Sequence, residues 1–367
     1  MANAYKPNYV MAPGVTLLEM LEERGWTQAE LAHRMGRPIK TINEITKGKT
    51  SITPETALQL ERTLGVSASF WLNNERRYRE HLAREHEEGA LAQHASWLKE
   101  LPVKKMIDWG WIPAARTAGE RVREVLKFFA IANPMPWPEL AGLAAGAASR
   151  KSLVYDSHSA ALAAWLRRGE LEAEKVATAP YDEQKLRLIL PTLRGLTLES
   201  QASFEQKLRE RCRECGVAVV FVPELPGVRV SGVARWLGAS GRQKAVVQMS
   251  YRYRSNDSFW FTFFHELGHL LLHRKHGLFI DFDGQADTDQ QEAEANEFAA
   301  EVLIPAAKLS PSKKAIWNES RIRLTAQMLG VHPGILVGRL QYGKALPYRT
   351  ALNSLKAKLS WAETKAP

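Results

Sequence analysis

His265, Glu266 and His269 fall in FWFTFFHELGHLLLH, an HExxH spacing inside an apolar helical run. Four residues is just over one helical turn, so both imidazoles lie on one face and can converge on a single ion, at about 2.0–2.1 Å per Zn–N bond. Glu266 projects beside them, where its carboxylate can take a proton from a water attacking a carbonyl. That is the chemistry of peptide-bond hydrolysis, with Zn2+ as the cofactor. An apolar helix has little reason to hold two histidines and a glutamate unless something pairs them.

A third ligand is expected, and the sequence downstream is rich in acids. Eight acids and no Lys or Arg lie between positions 280 and 301. Within that stretch QQEAEANEFAAEVLIP reads as a second helix with Ala293, Phe298, Ala299, Val302 and Leu303 inward and several carboxylates available. His273 lies roughly 12 Å from His265 along the helix axis, too far to share its ion, and reads as a supporting or core residue. Asp281, Asp283, Asp287 and Asp289 read as a solvated loop and lack EF-hand spacing. For polarising the scissile carbonyl, Tyr251, Arg252 and Tyr253 are the candidates.

The elements that must position these groups are legible. Strand-like runs VAVVFVPEL, VSGVARWL and KAVVQMSYRY, separated by Pro-Gly and Gly-Ser-Gly turns, predict a small sheet ahead of a helix over 259–274. Beyond the acidic helix, RLTAQMLGVHPGILVGRLQYGKAL has the grammar of helix, Gly turn, helix. Two readings stand for it: contact with nucleic acid or an acidic substrate, or a cap on the domain.

The pairing of HELGH with EANEFAAEVLIP resembles the ImmA/IrrE family of zinc peptidases. The resemblance implies a zincin-like α+β metallopeptidase domain, with Glu294 as the third zinc ligand beside His265 and His269, and Glu266 as general base; Glu292 is the alternative ligand. Members of that family cleave helix-turn-helix repressors, which implies a cognate repressor, or the chain itself, as substrate.

The first eighty residues predict short helices divided by Gly turns. Leu17, Leu18 and Leu21 space one apolar face, Thr27 with Glu30 forms a capping box, and Leu31, Ala32 and Met35 face inward before Gly36. Pro38 opens a helix with Ile42 and Ile45 inward, and Thr53 caps another that ends at Gly65. This is a helix-turn-helix. The stretch 12–73 resembles the phage-repressor (XRE) family, especially its HigA-type antitoxins. The resemblance implies that Ile39, Lys40, Thr41 and Glu44 face base edges of a double-stranded DNA operator, with Gln28, Arg37, Asn43, Lys47 and Lys49 at or near phosphate. Residue chemistry agrees in part: Lys40 can donate to guanine, Glu44 can accept from cytosine, and Thr41 or Ile39 can meet a thymine methyl.

Charge supports a polyanionic partner. The chain has 50 Lys and Arg against 40 Asp and Glu, a net +10, of which residues 302–367 hold +9. The first eighty residues carry only +2, but Arg34, Arg37, Lys40, Lys47 and Lys49 face the single acid Glu44 where the groove would lie. Between the two ends, a polar helix from residue 74 reads as a linker, and a block over 104–196 carries Trp and Phe at helical spacing, read as packing. Cys212 and Cys215 form a lone CxxC without the second pair a zinc ribbon needs, and read as incidental thiols.

The expected fold class is therefore α+β multidomain: an all-α helix-turn-helix over 1–75, a helical linker and middle region over 76–200, the metallopeptidase over 201–345 and a basic tail over 346–367. The expected function is a DNA-binding transcriptional regulator, antitoxin-like, whose zinc endopeptidase cleaves a repressor or itself. The competing class is a non-enzymatic antitoxin whose metallopeptidase fold only binds metal or a partner such as a cognate toxin. A homodimer is expected because phage-type repressors read two half-sites. The lack of long apolar runs and of a signal-peptide core places the chain in the cytoplasm, with no membrane partner.

Overall fold

A computed structural model describes residues 10–139, 157–238, 243–273, 278–282, 290–309 and 317–361. The chain divides into two compact units, residues 1–95 with 116–122, and residues 96–115 with 123–367. The fold is α+β: an all-helical first unit and a second unit of helices around one mixed sheet.

The first unit contains α1 (Pro13–Glu23), α2 (Gln28–Met35), α3 (Ile39–Thr46), α4 (Pro54–Leu64) and α5 (Ala68–Ala92). Local chemistry sets their ends. The Thr27 hydroxyl accepts from the Glu30 amide at 3.1 Å, and Gly36 and Gly65 terminate α2 and α4 in the left-handed region at φ 63° and 72°. The capping box is half made, because the Glu30 carboxylate turns to Arg34 at 2.6 Å. Leu17, Leu21, Leu31, Ile42, Ile45, Leu60 and Trp71 form the core. Leu18, expected inward, is exposed; Leu17 and Leu21, four apart, already hold the buried stripe, and the residue between them is turned about 100° away. The expected boundary at residue 75 falls inside α5.

Next come α6 (Val103–Asp108), α7 (Ala118–Phe129), α8 (Ser157–Glu174), α9 (Glu183–Gly195) and α10 (Gln201–Glu214). The aromatic residues of this region pack on one another, Trp97 on Trp137 at 5.6 Å and Trp111 on Phe128 at 6.2 Å. Cys212 and Cys215 are buried and unoxidised, and burial pushes both thiols up, which suits inert core residues.

The sheet has the order β1-β3-β2-β4, from β1 (Val217–Phe221), β2 (Val230–Leu237), β3 (Lys244–Met249) and β4 (Leu278–Phe282). β1 runs parallel to β3, while β2 is antiparallel to both β3 and β4. Side chains alternate between two covered faces. Gln248 and Arg235 turn to α8, donating to the Trp165 and Leu166 carbonyls at 2.8 and 2.6 Å, while Val219, Ala234 and Val247 join the core under α11 (Asn256–Leu272). β4 was not expected: Asp281 lies in it rather than in a loop, and its strand character comes from pairing with β2. Asp283, Asp287 and Asp289 lie outside the described residues.

The remaining helices are α12 (Gln290–Leu303), α13 (Ala306–Leu309), α14 (Glu319–Leu329) and α15 (Pro333–Tyr342). α15 packs on α11 and buries Ile335, Leu336, Val337 and Leu340. That burial favours the cap over a second nucleic-acid reader. A segment near residue 357 clamps the first turn of α11. The Asn256 amide donates to the Ala357 carbonyl at 2.9 Å, the Ala357 amide donates to Asn256 Oδ1 at 3.0 Å, and Lys356 pairs with Asp257 at 2.6 Å.

Candidate metal centre and nucleic-acid interface

α11 is buried nearly throughout, so its polar residues are placed by packing rather than by solvent. His265, Glu266, His269 and His273 are all buried, Glu266 completely. Two small residues set the approach of the neighbouring elements. A Cβ on Gly232 of β2 would meet Thr262 Cγ2 at 2.6 Å and Glu266 Oε1 at 3.0 Å, so the strand leaves room for the carboxylate only as glycine. A Cβ on Gly268 would lie 3.3 Å from the Ala295 Cα, which lets α12 come close to α11.

That approach brings three ligand atoms together. His265 Nε2 and His269 Nε2 are 3.0 Å apart, and the Glu292 carboxylate oxygens lie 3.2 and 3.3 Å from them. Among the described residues this trio is the group that could hold a metal ion. Two ligands about 2.0–2.1 Å from one tetrahedral ion sit roughly 3.3 Å apart, and two imidazole nitrogens with a carboxylate oxygen are a zinc-type donor set, so the residues fit the ion.

The geometry corrects the expected third ligand. Glu294, implied by the resemblance, lies instead 2.9 Å from His273 Nε2. The reason is helical phase: residues two apart point about 200° away from each other, whereas Glu292, Ala295, Asn296 and Ala299 share one face. Ala295 and Ala299 are buried on that face, and Ala293, expected inward, is exposed. The i, i+3, i+4, i+7 spacing from Glu292 carried this signal in the sequence.

Asn296 was not singled out in advance. Its Oδ1 lies 3.1 Å from His265 Nδ1 and accepts a proton from that nitrogen, which orients the ring with Nε2 toward the trio. Tyr251 is buried with its hydroxyl donating to Glu205, and burial first, then Glu205, pushes its pKa up. Arg252 donates to the Val228 carbonyl at 2.9 Å and lies over the Tyr253 ring.

Electrostatics keep the trio ready to bind a cation. Burial opposes ionisation of Glu292, but hydrogen bonds from His265 and His269 outweigh it and hold the carboxyl well below its ordinary range. Burial lowers the His269 pKa from its ordinary 6.5, with Glu292 pulling the other way, so the ring is neutral at pH 7. Below about pH 6.5 the unfolded chain takes up a proton at His269 that the native ring resists, so the native state loses stability as the pH falls through that value. The metal-free protein is expected to show a lower urea midpoint at pH 5.5 than at 7.5, and His269→Gln to narrow the difference. Equal narrowing in an unrelated surface histidine variant would defeat this assignment.

In the first unit, α3 buries Ile42 and Ile45 and turns the opposite face outward. Ile39 is 49% exposed and the Lys40 side chain 85% exposed, with Thr41, Asn43 and Glu44 partly covered. Glu44 accepts from Thr50 Oγ1 at 3.2 Å and lies 3.9 Å from Lys40. Lys47 and Lys49 are exposed after the helix, and Gln28 is half-buried at the start of α2. Arg37 is tied to α4: its Nε donates to Gln59, and it lies 3.7 Å from Glu55.

A helix pair of this kind joined in one chain to an HExxH helix over a mixed sheet defines a helix-turn-helix protein with a metallopeptidase-type domain. Comparison with known proteins agrees: residues 17–71 match the helix-turn-helix family and residues 238–341 the IrrE N-terminal-like domain of the peptidase families. The chain is 38% identical over 68 residues to virulence-associated protein A of Dichelobacter nodosus, spanning 18% of this chain and 67% of the relative. The chain belongs to the helix-turn-helix family of that relative and carries the IrrE-type domain fused to it. Solved structures similar to its N-terminal region include PA4674 of Pseudomonas aeruginosa in complex with operator DNA, at 30% identity over 20% of this chain and 82% of that one, TM-score 0.20. Another is an addiction-module antidote protein of the HigA family from Coxiella burnetii, at 27% identity over 23% and 92%, TM-score 0.21. No described helix is long and apolar enough to cross a membrane.

Proposed function

We propose that this chain is a DNA-binding regulator whose second unit is a zinc-dependent endopeptidase acting on a helix-turn-helix repressor or on the chain itself. The convergence of His265, His269 and Glu292 beside the buried Glu266 carries the hydrolytic half of this reading. Zinc bound there supplies Lewis-acid polarisation and acidifies water to a pKa near 7. His265 and His269 present neutral Nε2 atoms to it, and Glu292 brings the anionic third ligand. Glu266 takes the proton from the attacking water and returns it to the departing amine. Metal analysis of the purified chain tests the site: one zinc per chain is expected, lost in Glu292→Ala, and zinc retained in that variant would count against it.

The first unit reads an operator with α3. Ile39, Lys40, Thr41 and Glu44 reach base edges, while Gln28, Arg37, Asn43, Lys47 and Lys49 serve the phosphates, two copies covering two half-sites. The family match over residues 17–71 and the outward face of α3 support this. A duplex selected from a random pool by the full chain provides the test. Lys40→Ala should weaken binding to it by roughly 1–3 kcal/mol and relax preference at one base, whereas Lys49→Ala should weaken all duplexes alike and lower the salt slope by about one. Unaltered preference in a Lys40→Ala, Thr41→Ala double variant would remove α3 as the reader. The same reading places the chain in the cytoplasm, with a cognate toxin or repressor as its protein partner.

A further inference from the structure

We propose that Glu294 and His273 act as a positioning relay for His269, turning its Nε2 lone pair toward the ion. The inference rests on the reading of His265, His269 and Glu292 as a metal centre. Three distances make a continuous chain: Glu294 Oε2 to His273 Nε2 is 2.9 Å, His273 Nδ1 to His269 Nδ1 is 3.2 Å, and His269 Nε2 to Glu292 Oε1 is 3.3 Å.

With a cation shared by His265, His269 and Glu292, which replaces any proton between these ligand atoms, counting protons along the chain gives one consistent arrangement. A carboxylate is acceptor only, so the His273 proton belongs on Nε2, where it is donated to Glu294. His273 Nδ1 is then an acceptor, and the facing His269 Nδ1 must carry the proton between them. His269 Nε2 is left with a bare lone pair, directed at the space it shares with His265 and Glu292. The opposite tautomers would aim a lone pair of His273 at the carboxylate and a proton of His269 at the cation. Gln290 Nε2 donates to Glu294 Oε1 at 2.8 Å and holds the carboxylate in place.

The two ligand arms therefore differ. His265 is oriented by the neutral amide of Asn296, His269 through a second imidazole by an anion. Glu294 serves the ion from a distance, which gives a role to the carboxylate that the helical phase turns away from the ligand position.

Zinc affinity of the full chain, measured by competition with a chelating dye, tests the relay. Glu294→Ala and His273→Ala should each lower affinity about 10–100-fold, and the double variant should be little worse than either single one. Glu294→Gln should stay within about threefold of wild type, because its amide oxygen still accepts from His273. Glu292→Ala should lose more than any of these. Nitrogen NMR of the zinc-loaded chain reads the tautomers directly, with the His273 proton on Nε2 in the wild type and distributed over both nitrogens in Glu294→Ala. Wild-type affinity in Glu294→Ala overturns the relay and leaves the metal centre standing. Loss in Glu294→Gln as deep as in Glu292→Ala overturns it by making Glu294 a ligand, and a wild-type His273 proton on Nδ1 overturns it on tautomer grounds. A wild-type chain that binds no zinc fails the metal reading itself, and the relay with it.

Discussion

Glu266→Gln is expected to abolish cleavage while leaving zinc content and operator binding at wild-type levels. The substitution keeps size and shape at a completely buried position, where Gly232 leaves little room for anything larger. It removes the one property the reaction needs there, a base able to take a proton from water and give it to the leaving amine. General-base loss of this kind costs about 10²–10⁴ in rate. Incubation of zinc-loaded protein with helix-turn-helix substrates, followed by mass spectrometry of the products, measures it. Cleavage by the variant at the wild-type rate would sink the mechanism, and absence of cleavage by the wild type against every such substrate would favour a chain that binds metal without turnover.

The second large effect concerns a position with no chemistry. A Cβ on Gly14 of α1 would lie 2.4 Å from the Ile45 carbonyl oxygen and 2.6 Å from the Thr46 Cα, both backbone atoms at the end of α3. Backbone cannot rotate aside as a side chain can, so α1 must lift away from α3. Alanine is otherwise the better helix former by about 1 kcal/mol, which makes a net loss diagnostic. Overpacking of this sort costs roughly 1–3 kcal/mol, and a unit of this size loses about 4–8 °C of melting temperature per kcal/mol. Gly14→Ala is expected to lower the melting of the first unit by about 10 °C in calorimetry and to weaken operator binding, with the zinc site unaffected. A variant melting within a degree or two of wild type would contradict the close packing of α1 on α3.

The sequence was most legible where chemistry depends on local periodicity. HExxH on an apolar run places its two imidazoles by helical pitch alone, and Thr27, Gly36 and Gly65 mark helix ends through side-chain and backbone preferences that need no tertiary context. What escaped was phase and pairing. Glu292 and Glu294 are both carboxylates in the right segment; the alanines at 295 and 299 are in phase with Glu292, and their burial shows that this is the face turned to α11. β4 is a strand because β2 lies beside it, a fact absent from five residues taken alone. Asn296 and His273 became informative only once distances showed which ring nitrogen each one faces.

The clamp on α11 has a bearing on the order in which the protein comes into being. Asn256 and Asp257 at the head of the HExxH helix find their partners in residues 356 and 357, about a hundred positions downstream. Translation at about 5–20 residues per second delivers the helix-turn-helix well before that segment leaves the ribosome. A growing polypeptide thus has its helix-turn-helix complete while the helix bearing His265 and His269 still lacks its long-range anchor.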